Sequence, residues 1–115
     1  MSEFGADAVA GLHRSVESVF SEEYQRDLLV EHERCLDKLY ANRTNNGIKL
    51  LGSMIWNFAD FSTHDSLLRV GGNRKGIFTR DREPKLAAES IRKFYRNRLV
   101  KGTRIYRSKF KPGTG

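Results

Sequence analysis

The fold class of this chain is predicted from two neighbouring stretches, WNFADF at residues 56–61 and RVGGNRKGIFTR at residues 69–80. The first stretch is mostly apolar and is typical of a buried strand that runs out into a loop. The second is a glycine-rich loop with several cations and an amide. Together they place cationic and planar donors at the mouth of an apolar scaffold, which suits a small anionic ligand, especially a carboxylate. A surface loop of solvated Arg and Lys is the alternative, and composition leaves the two interpretations even.

The segments before these stretches predict a strand end, a loop and a helix. Residues 2–5, SEFG, look like the end of a strand that enters a glycine turn, and residues 6–20 are irregular. Ser21 is a good N-cap, and the two glutamates after it oppose the positive end of the helix dipole. Apolar residues then recur at helical spacing, so a helix is expected from Ser21 to about Ala41. Its apolar face is expected to hold Tyr24, Leu28, His32, Cys35, Leu36 and Leu39.

The remaining elements complete an alternating pattern. Residues 48–58 are apolar on both alternating faces, which predicts a strand buried on both sides, as in a parallel sheet. Residues 61–82 predict a long loop, and a second helix is expected to start at Pro84 and to end between residues 97 and 101. This βαβα order, with long loops after the strands, is typical of α/β folds. They include the (β/α)8 barrel, in which those loops carry the active site.

Length and composition narrow the function further. With 115 residues, the chain has the size of one small domain. It has no run of about 18 apolar residues, so neither a membrane span nor a membrane partner is expected. Cys35 is the single cysteine, which excludes an internal disulfide, and it is expected in the core. The three histidines lack metal-ligand spacing with one another or with Cys35, so no metal site and no cofactor are expected.

The net charge of +7 is unevenly distributed, because no acidic residue follows Glu89. Basic residues in that part of the chain alternate with aromatic ones, a pattern that can bind nucleic acid. The favoured interpretation is the solvated face of a terminal helix and a disordered tail, and nucleic acid is not expected as a partner. We therefore predict a folded part at residues 1–100 and a basic, disordered tail at residues 101–115.

Five blocks of the sequence carry a family resemblance. In chain order they are SEFGAD with AGLH within residues 2–13, SEEYQ at 21–25, IWNFADF at 55–61, residues 69–82, and PK with AA within residues 84–88. In this order the blocks resemble the C-terminal part of family 2 glycoside hydrolases, and specifically the β-glucuronidases. The resemblance implies the C-terminal portion of a (β/α)8 TIM barrel: the end of strand 7, helix 7, strand 8 at about residues 50–58, and helix 8.

The resemblance also implies a catalytic residue. In the family, a glutamate at the end of strand 7 is the nucleophile, and Glu3 occupies that position in SEFG. A carboxylate there attacks the anomeric carbon, forms a glycosyl-enzyme ester and releases it to water with retained configuration. Without the resemblance, Glu3 would be interpreted as an ordinary exposed acid.

The resemblance further implies a substrate. The Asn-x-Lys motif of glucuronidases is similar to Asn73-Arg74-Lys75, so Asn73 and Lys75 are expected to bind the C6 carboxylate of glucuronate. A neutral sugar would leave a buried lysine unpaired there, which gives discrimination. Arg69 matches an arginine beside the carboxylate site. Trp56 matches an aromatic wall of the sugar pocket, although a core tryptophan is the alternative. Asp60 is interpreted as structural.

Retaining hydrolysis also needs a general acid, which the family places after strand 4, outside the residues that match. We therefore expect this segment alone to be inactive and unstable, and the rest of the barrel to be its partner. The alternative is a non-catalytic fragment that binds sugar acids or polyanions through its basic tail. The resemblance implies a homo-oligomeric parent protein, lysosomal or secreted if animal and cytoplasmic if bacterial.

Overall fold

The structure, a computed structural model, describes residues 3–16, 18–41, 52–64 and 71–109. It contains two helices, α1 (Glu22–Ala41) and α2 (Leu86–Lys109), which pack against each other. Neither helix is long and apolar enough to cross a membrane. The predicted turn after α1, part of the second predicted strand and Arg69 lie outside the described residues.

The start of α1 is determined by Ser21, as predicted from the sequence. Its Oγ accepts a hydrogen bond from the backbone N–H of Tyr24 at 3.2 Å and donates to the carbonyl oxygen of Ser18 at 2.7 Å. This satisfies one of the N–H groups that a helix start leaves without a partner. The helix then ends at Ala41, where the sequence predicted its end.

The buried face of α1 differs from the predicted one. Cys35 and Leu39 were expected in the core, but both are exposed. The buried residues instead follow the spacing Gln25, Leu29, Glu33 and Leu36. Two members of this face are polar, and a hydropathy pattern cannot recognise a polar residue that is buried because it has partners. The predicted face was therefore rotated away from the real one.

The second helix is longer than predicted. It begins at Leu86, shortly after Pro84, and continues to Lys109, well past the end expected between residues 97 and 101. Straight-chain Lys and Arg residues favour helix, so the basic composition of residues 101–109 is compatible with its continuation. The boundary at residue 100 thus does not coincide with a helix end, and residues 110–115 lie outside the described part.

Two extended segments lie beside the helices, the first at residues 3–8 and the second at residues 52–61. Phe4 forms a parallel bridge with Ile55, and the N–H of Trp56 donates to the carbonyl oxygen of Phe4 at 2.9 Å. Within the described residues these contacts remain isolated bridges rather than continuous strands. A parallel strand needs neighbours along its edges to extend a ladder. The two helices are present in the expected order. The second predicted strand, residues 48–58, was expected to be buried on both sides, but in its described part Met54 and Phe58 are exposed.

The core lies between this pair of segments and the helices. It consists of Phe4, Leu29, Leu36, Ala87 and Ile91, with Leu28, Ile55 and Ile77 packed against it. The ring of Phe4 stacks on the ring of His32 with centroids 5.1 Å apart. The side chain of Phe4 faces the helices. Because successive residues of an extended segment point to opposite faces, its neighbours Glu3 and Gly5 lie on the face away from the helices.

A buried ion pair joins the two helices. The carboxylate of Glu33, which is fully buried, lies 2.5 Å from Nη2 of Arg98 and accepts a hydrogen bond from the Ser53 hydroxyl at 3.0 Å. Arg98 also contacts Asp37 at 3.0 Å and donates to the hydroxyl of Ser53. This cluster connects α1, α2 and the start of the second extended segment.

Replacing Arg98 by Met is expected to lower the free energy of unfolding by about 2–4 kcal/mol, because it leaves the buried Glu33 carboxylate without its cation. The side chain of Arg98 is 31% exposed, which keeps the cost below that of a fully buried pair. Urea unfolding followed by pulse proteolysis, with the chain placed in the complete barrel that the resemblance implies, measures the change. Arg92→Met is the matched control: its pair with Glu89 is exposed, so we expect a loss below about 1 kcal/mol. Equal losses for the two variants would contradict the assignment.

Candidate active site

The Asn73–Gly76 loop is anchored to the end of the second extended segment. Phe61 and Asn73 exchange backbone hydrogen bonds of 3.2 and 2.9 Å. Gly72 has a φ of 93°, and a Cβ there would approach the carbonyl oxygen of Phe61 to 2.6 Å, so only glycine fits this turn. The Oδ1 atom of Asn73 accepts a hydrogen bond from the N–H of Lys75 at 3.0 Å. Asn73 therefore fixes the turn that presents Lys75.

The backbone of Lys75 is held from two directions. Its carbonyl oxygen accepts a hydrogen bond from the N–H of Asn57 at 3.2 Å. From α1, Nε2 of the fully buried Gln25 donates to Gly76 O at 3.1 Å, to Ala6 O at 2.9 Å and, more distantly, to Lys75 O at 3.4 Å. The side chain of Gln25 thus joins the loop after the first extended segment to the loop after the second.

Asp60 and Lys85 form a second anchor for the same loop. Their side chains are 2.9 Å apart, and the Lys85 side chain is fully buried while that of Asp60 is 17% exposed. Oδ1 of Asp60 also accepts a hydrogen bond from the N–H of Gly76 at 3.0 Å. The structural role that the sequence suggested for Asp60 agrees with these contacts.

The first extended segment and the Asn73–Gly76 loop are in direct contact. A Cβ at Gly5 would overlap the carbonyl oxygen of Trp56 and would lie 3.9 Å from the Cβ of Lys75. The N–H of Ala8 donates to the carbonyl oxygen of Arg74 at 3.0 Å. Glycine at position 5 therefore lets these segments approach closely, two residues from Glu3.

The structure brings most of the predicted site residues into one region. Glu3 is exposed and precedes Phe4, whose bridge to Ile55 places Trp56 alongside. Trp56 is 40% exposed, as a wall of a pocket would be, and its ring makes an edge contact with Phe61. Lys75 is half-buried beside Gly5.

Asn73 and Arg69 complete the account of the predicted residues. Asn73 is only 3% exposed and its Oδ1 is engaged in the turn, so its amide N–H groups are the part suited to a ligand. Arg69 lies outside the described residues. The described residues contain no group of three or more His, Cys, Asp or Glu side chains that could hold a metal ion.

This arrangement combines a carboxylate with a cation on one face of the fold. The Glu3 carboxylate is exposed to solvent, and the backbone of Lys75 is fixed by the hydrogen bonds described above. A rigid loop loses little entropy when its lysine binds an anion. The geometry therefore suits the binding of a small acid next to an exposed carboxylate.

Sequence analysis missed two residues that build this region, Gln25 and Lys85. Both belong to the matched blocks, but they were not assigned a role. Gln25 gave no signal, because a hydropathy pattern treats a polar residue as solvated even when its hydrogen bonds allow it to be buried. Lys85 gave no signal either, because a single lysine before a helix is usually solvated.

The loop at residues 9–14 is held to α1 by two glutamates. Oε1 of Glu22 accepts a hydrogen bond from the N–H of Gly11 at 2.7 Å, and Oε2 accepts one from the N–H of Leu86 at 2.6 Å. The carboxylate of Glu23 accepts from the N–H of Arg14 at 3.1 Å and pairs with Nδ1 of His13 at 2.8 Å. Glu22 thus joins the loop to the first residue of α2.

The hydrogen bond to Glu23 raises the pKa of His13 above its ordinary value of 6.5, and the same bond lowers the pKa of Glu23 below 4.5. The contact is therefore expected to stabilise the loop fully between about pH 4.5 and 6.5, and to weaken as the pH rises through the raised pKa of His13 or falls through the lowered pKa of Glu23. Titration of the His13 ring protons by NMR should give a midpoint above 6.5 that returns to the ordinary value in Glu23→Gln. A midpoint unchanged by that substitution would rule out the contact.

Comparison with known proteins identifies the family of this fold and site. The model of the TIM barrel domain of glycosyl hydrolases family 2 matches residues 1–99. The chain therefore belongs to this glycosyl hydrolase family, and the resemblance and the barrel fold class inferred from the sequence are confirmed.

The similar proteins are β-glucuronidases. The chain is 50% identical over 107 residues to the β-glucuronidase of Rattus norvegicus. These residues cover 93% of this chain and 15% of the rat protein. Among solved structures it is similar to the β-D-glucuronidase of Dictyoglomus thermophilum, with a TM-score of 0.69, 43% identity, and coverage of 79% of this chain and 14% of that one. The β-glucuronidase of Bifidobacterium dentium complexed with coumarin-3-O-glucuronide gives a TM-score of 0.69, 44% identity, and coverage of 79% and 13%. The chain thus spans about one seventh of the length of these relatives.

Proposed function

We propose that this chain contributes the nucleophile and the carboxylate-binding residues to the active site of a retaining β-glucuronidase. In this proposal the segments around Phe4 and Ile55 are the ends of barrel strands 7 and 8, and α1 and α2 are helices 7 and 8. The observation that carries it is the close approach at Gly5, which places Lys75 and Trp56 beside the segment that bears Glu3. The solved relative from Bifidobacterium dentium, whose complex contains a glucuronide, supports the substrate class.

Glu3 is the proposed nucleophile. Its carboxylate oxygen forms a bond to the anomeric carbon of the glucuronide while the bond from that carbon to the aglycone oxygen breaks. Water then attacks the same carbon and releases the carboxylate, so two inversions retain the configuration. An exposed and ionised carboxylate is the form that this attack requires.

Lys75 and Asn73 are proposed to bind the C6 carboxylate of the sugar, together with Arg69. The ammonium of Lys75 supplies the charge, and the amide N–H groups of Asn73 supply directed hydrogen bonds. A glucoside carries a neutral hydroxymethyl group in this place and would leave the ammonium without a partner. Trp56 is proposed to pack against the sugar ring as one wall of the pocket.

The proton for the departing aglycone is proposed to come from another part of a complete barrel. Retaining hydrolysis requires a second carboxyl group about 5–5.5 Å from the nucleophile. The resemblance places this group outside the matching blocks, so we propose that the 115-residue chain by itself does not hydrolyse glucuronides.

A segment exchange tests this function. The chain replaces the corresponding part of the rat β-glucuronidase, to which it is 50% identical over 107 residues. We expect this chimera to hydrolyse 4-nitrophenyl β-D-glucuronide with saturable kinetics, and the chain alone to give no turnover. A correctly folded chimera without glucuronidase activity, or saturable turnover by the chain alone, would reject the proposal.

A further inference from the structure

In the buried ion pair of Lys85 and Asp60, the ammonium group of Lys85 has further hydrogen-bond partners besides Asp60. Nζ of Lys85 donates to Oδ1 of Asp60 at 2.9 Å, to the carbonyl oxygen of Ala8 at 2.8 Å and to the carbonyl oxygen of Arg74 at 3.0 Å. An ammonium group has three N–H donors, so this set satisfies it completely. Lys85 therefore has no donor left for a ligand, and any effect on binding must pass through its partners.

Those partners lie on both sides of Lys75. The ammonium of Lys85 donates to the carbonyl oxygen of Arg74, the residue before Lys75. The carboxylate of Asp60 accepts from the N–H of Gly76, the residue after Lys75. The contact to Ala8 connects the same pair to the loop that follows Glu3. One ion pair thus ties the loop of the proposed sugar-acid lysine to the loop of the proposed nucleophile.

A neutral side chain would not reproduce the contacts of this lysine. The three acceptors come from three different segments of the chain, and a buried ammonium is costly unless each donor is paired. An apolar residue at position 85 would leave the carbonyl groups of Ala8 and Arg74 with fewer donors. The carbonyl group of Arg74 would keep its hydrogen bond from the N–H of Ala8 and lose the one from Lys85, so the backbone before Lys75 would be held less firmly.

We propose that the Lys85–Asp60 ion pair is a positioning device that fixes the backbone on both sides of Lys75 and so sets the preference of the site for sugar acids. The inference rests on the proposed function, because it assigns to Lys75 the recognition of the C6 carboxylate. Lys85 and Asp60 are positioning residues in this scheme, since neither contacts the substrate.

The experiment uses the chimera with the rat enzyme and compares 4-nitrophenyl β-D-glucuronide with 4-nitrophenyl β-D-glucoside. Lys85→Met is expected to lower kcat/KM for the glucuronide by about 10- to 100-fold, because displacements of about 1 Å at a site have costs of that order. We expect most of the loss in KM, and a change of no more than about threefold for the glucoside, which makes no use of the Lys75 charge. A parallel loss for both substrates, or no loss for either, would overturn the proposal.

Lost stability alone can be separated from lost positioning. The double variant Lys85→Met with Asp60→Asn removes the unpaired buried charge, so its thermal midpoint should recover towards that of the chimera. Its preference for the glucuronide should stay low, since the hydrogen bonds from Lys85 to Ala8 and Arg74 are still missing. Recovery of the preference together with the thermal midpoint would show a purely structural role. If Lys85→Met does not fold, the double variant supplies the same comparison.

Two further variants complete the design. Arg98→Met breaks the ion pair between Glu33 and Arg98 that joins the two helices, and it should lower the thermal midpoint without changing the ratio of the two kcat/KM values. Lys75→Ala tests the proposed function itself. If Lys75→Ala loses the glucuronide preference and Lys85→Met does not, only the positioning proposal fails. If Lys75→Ala keeps the preference, the proposed role of Lys75 is overturned, and the positioning proposal that rests on it is overturned as well.

Discussion

Replacing Glu3 by Ala in the chimera is expected to lower kcat for 4-nitrophenyl β-D-glucuronide by about 10⁴-fold or more, as loss of a nucleophile does in other enzymes with covalent intermediates. Glu3→Gln keeps the shape of the side chain and should cause a loss of the same order, because the amide does not form the glycosyl ester. Glu31→Gln, an exposed acid on α1, is the matched control and should retain the activity of the chimera.

Azide should distinguish a nucleophile from a structural acid. In Glu3→Ala the missing carboxylate leaves space for azide, which can attack the anomeric carbon while the aglycone departs. This single displacement inverts the configuration, so the product is the α-glucuronosyl azide, whereas the two-step reaction retains the β form. Product analysis by NMR reports the outcome. Full activity of Glu3→Ala, or a β-configured azide, would contradict the assignment of Glu3.

Replacing Lys75 by Ala is expected to lower kcat/KM for the glucuronide by about 10²–10³-fold, because the C6 carboxylate would be bound without its cation. Ala keeps the Cβ that lies near Gly5, so the contact between the two segments is preserved. The glucoside should be hydrolysed no more slowly, and its relative rate should rise. Steady-state kinetics on both substrates give the ratio directly.

Lys93→Ala provides the control for Lys75→Ala. Lys93 is an exposed lysine of α2, so its loss changes the net charge by the same amount without changing the site. We expect both kinetic ratios to stay at the values of the chimera. A fall in glucuronide activity of similar size in Lys93→Ala would indicate a general electrostatic effect on an anionic substrate.

The parts of the fold predicted from the sequence are those encoded by local chemistry. Ser21 caps α1 as expected, because an N-cap depends on residues within one turn. The neighbourhood of Trp56 and Lys75 was inferred from the resemblance and from the rule that loops after parallel strands lie at one end of a barrel. The role of each site residue still rests on that resemblance and on the geometry at Gly5.

The missed features depend on contacts between residues far apart in the sequence. The buried face of α1 includes Gln25 and Glu33, whose partners lie in other segments, and a hydropathy pattern treats both as solvated. Lys85 is buried because Ala8 and Arg74 present carbonyl groups to it, which no local pattern reveals. The end of α2 was predicted too early: Gly102 follows the expected stop, where a glycine often ends a helix, but the helix continues through it to Lys109.

The carboxylate of Glu22 has a consequence for the order of folding. The first N–H group of α2 is satisfied by a side chain 64 residues earlier in the chain, and the residue directly before α2 is a lysine that cannot accept such a bond. Starting a helix is the unfavourable step of its formation. We therefore expect a peptide of residues 84–109 to be poorly helical in isolation and to gain helicity when it associates with a peptide that contains α1. Nucleation of the second helix would then be a tertiary event, coupled to docking.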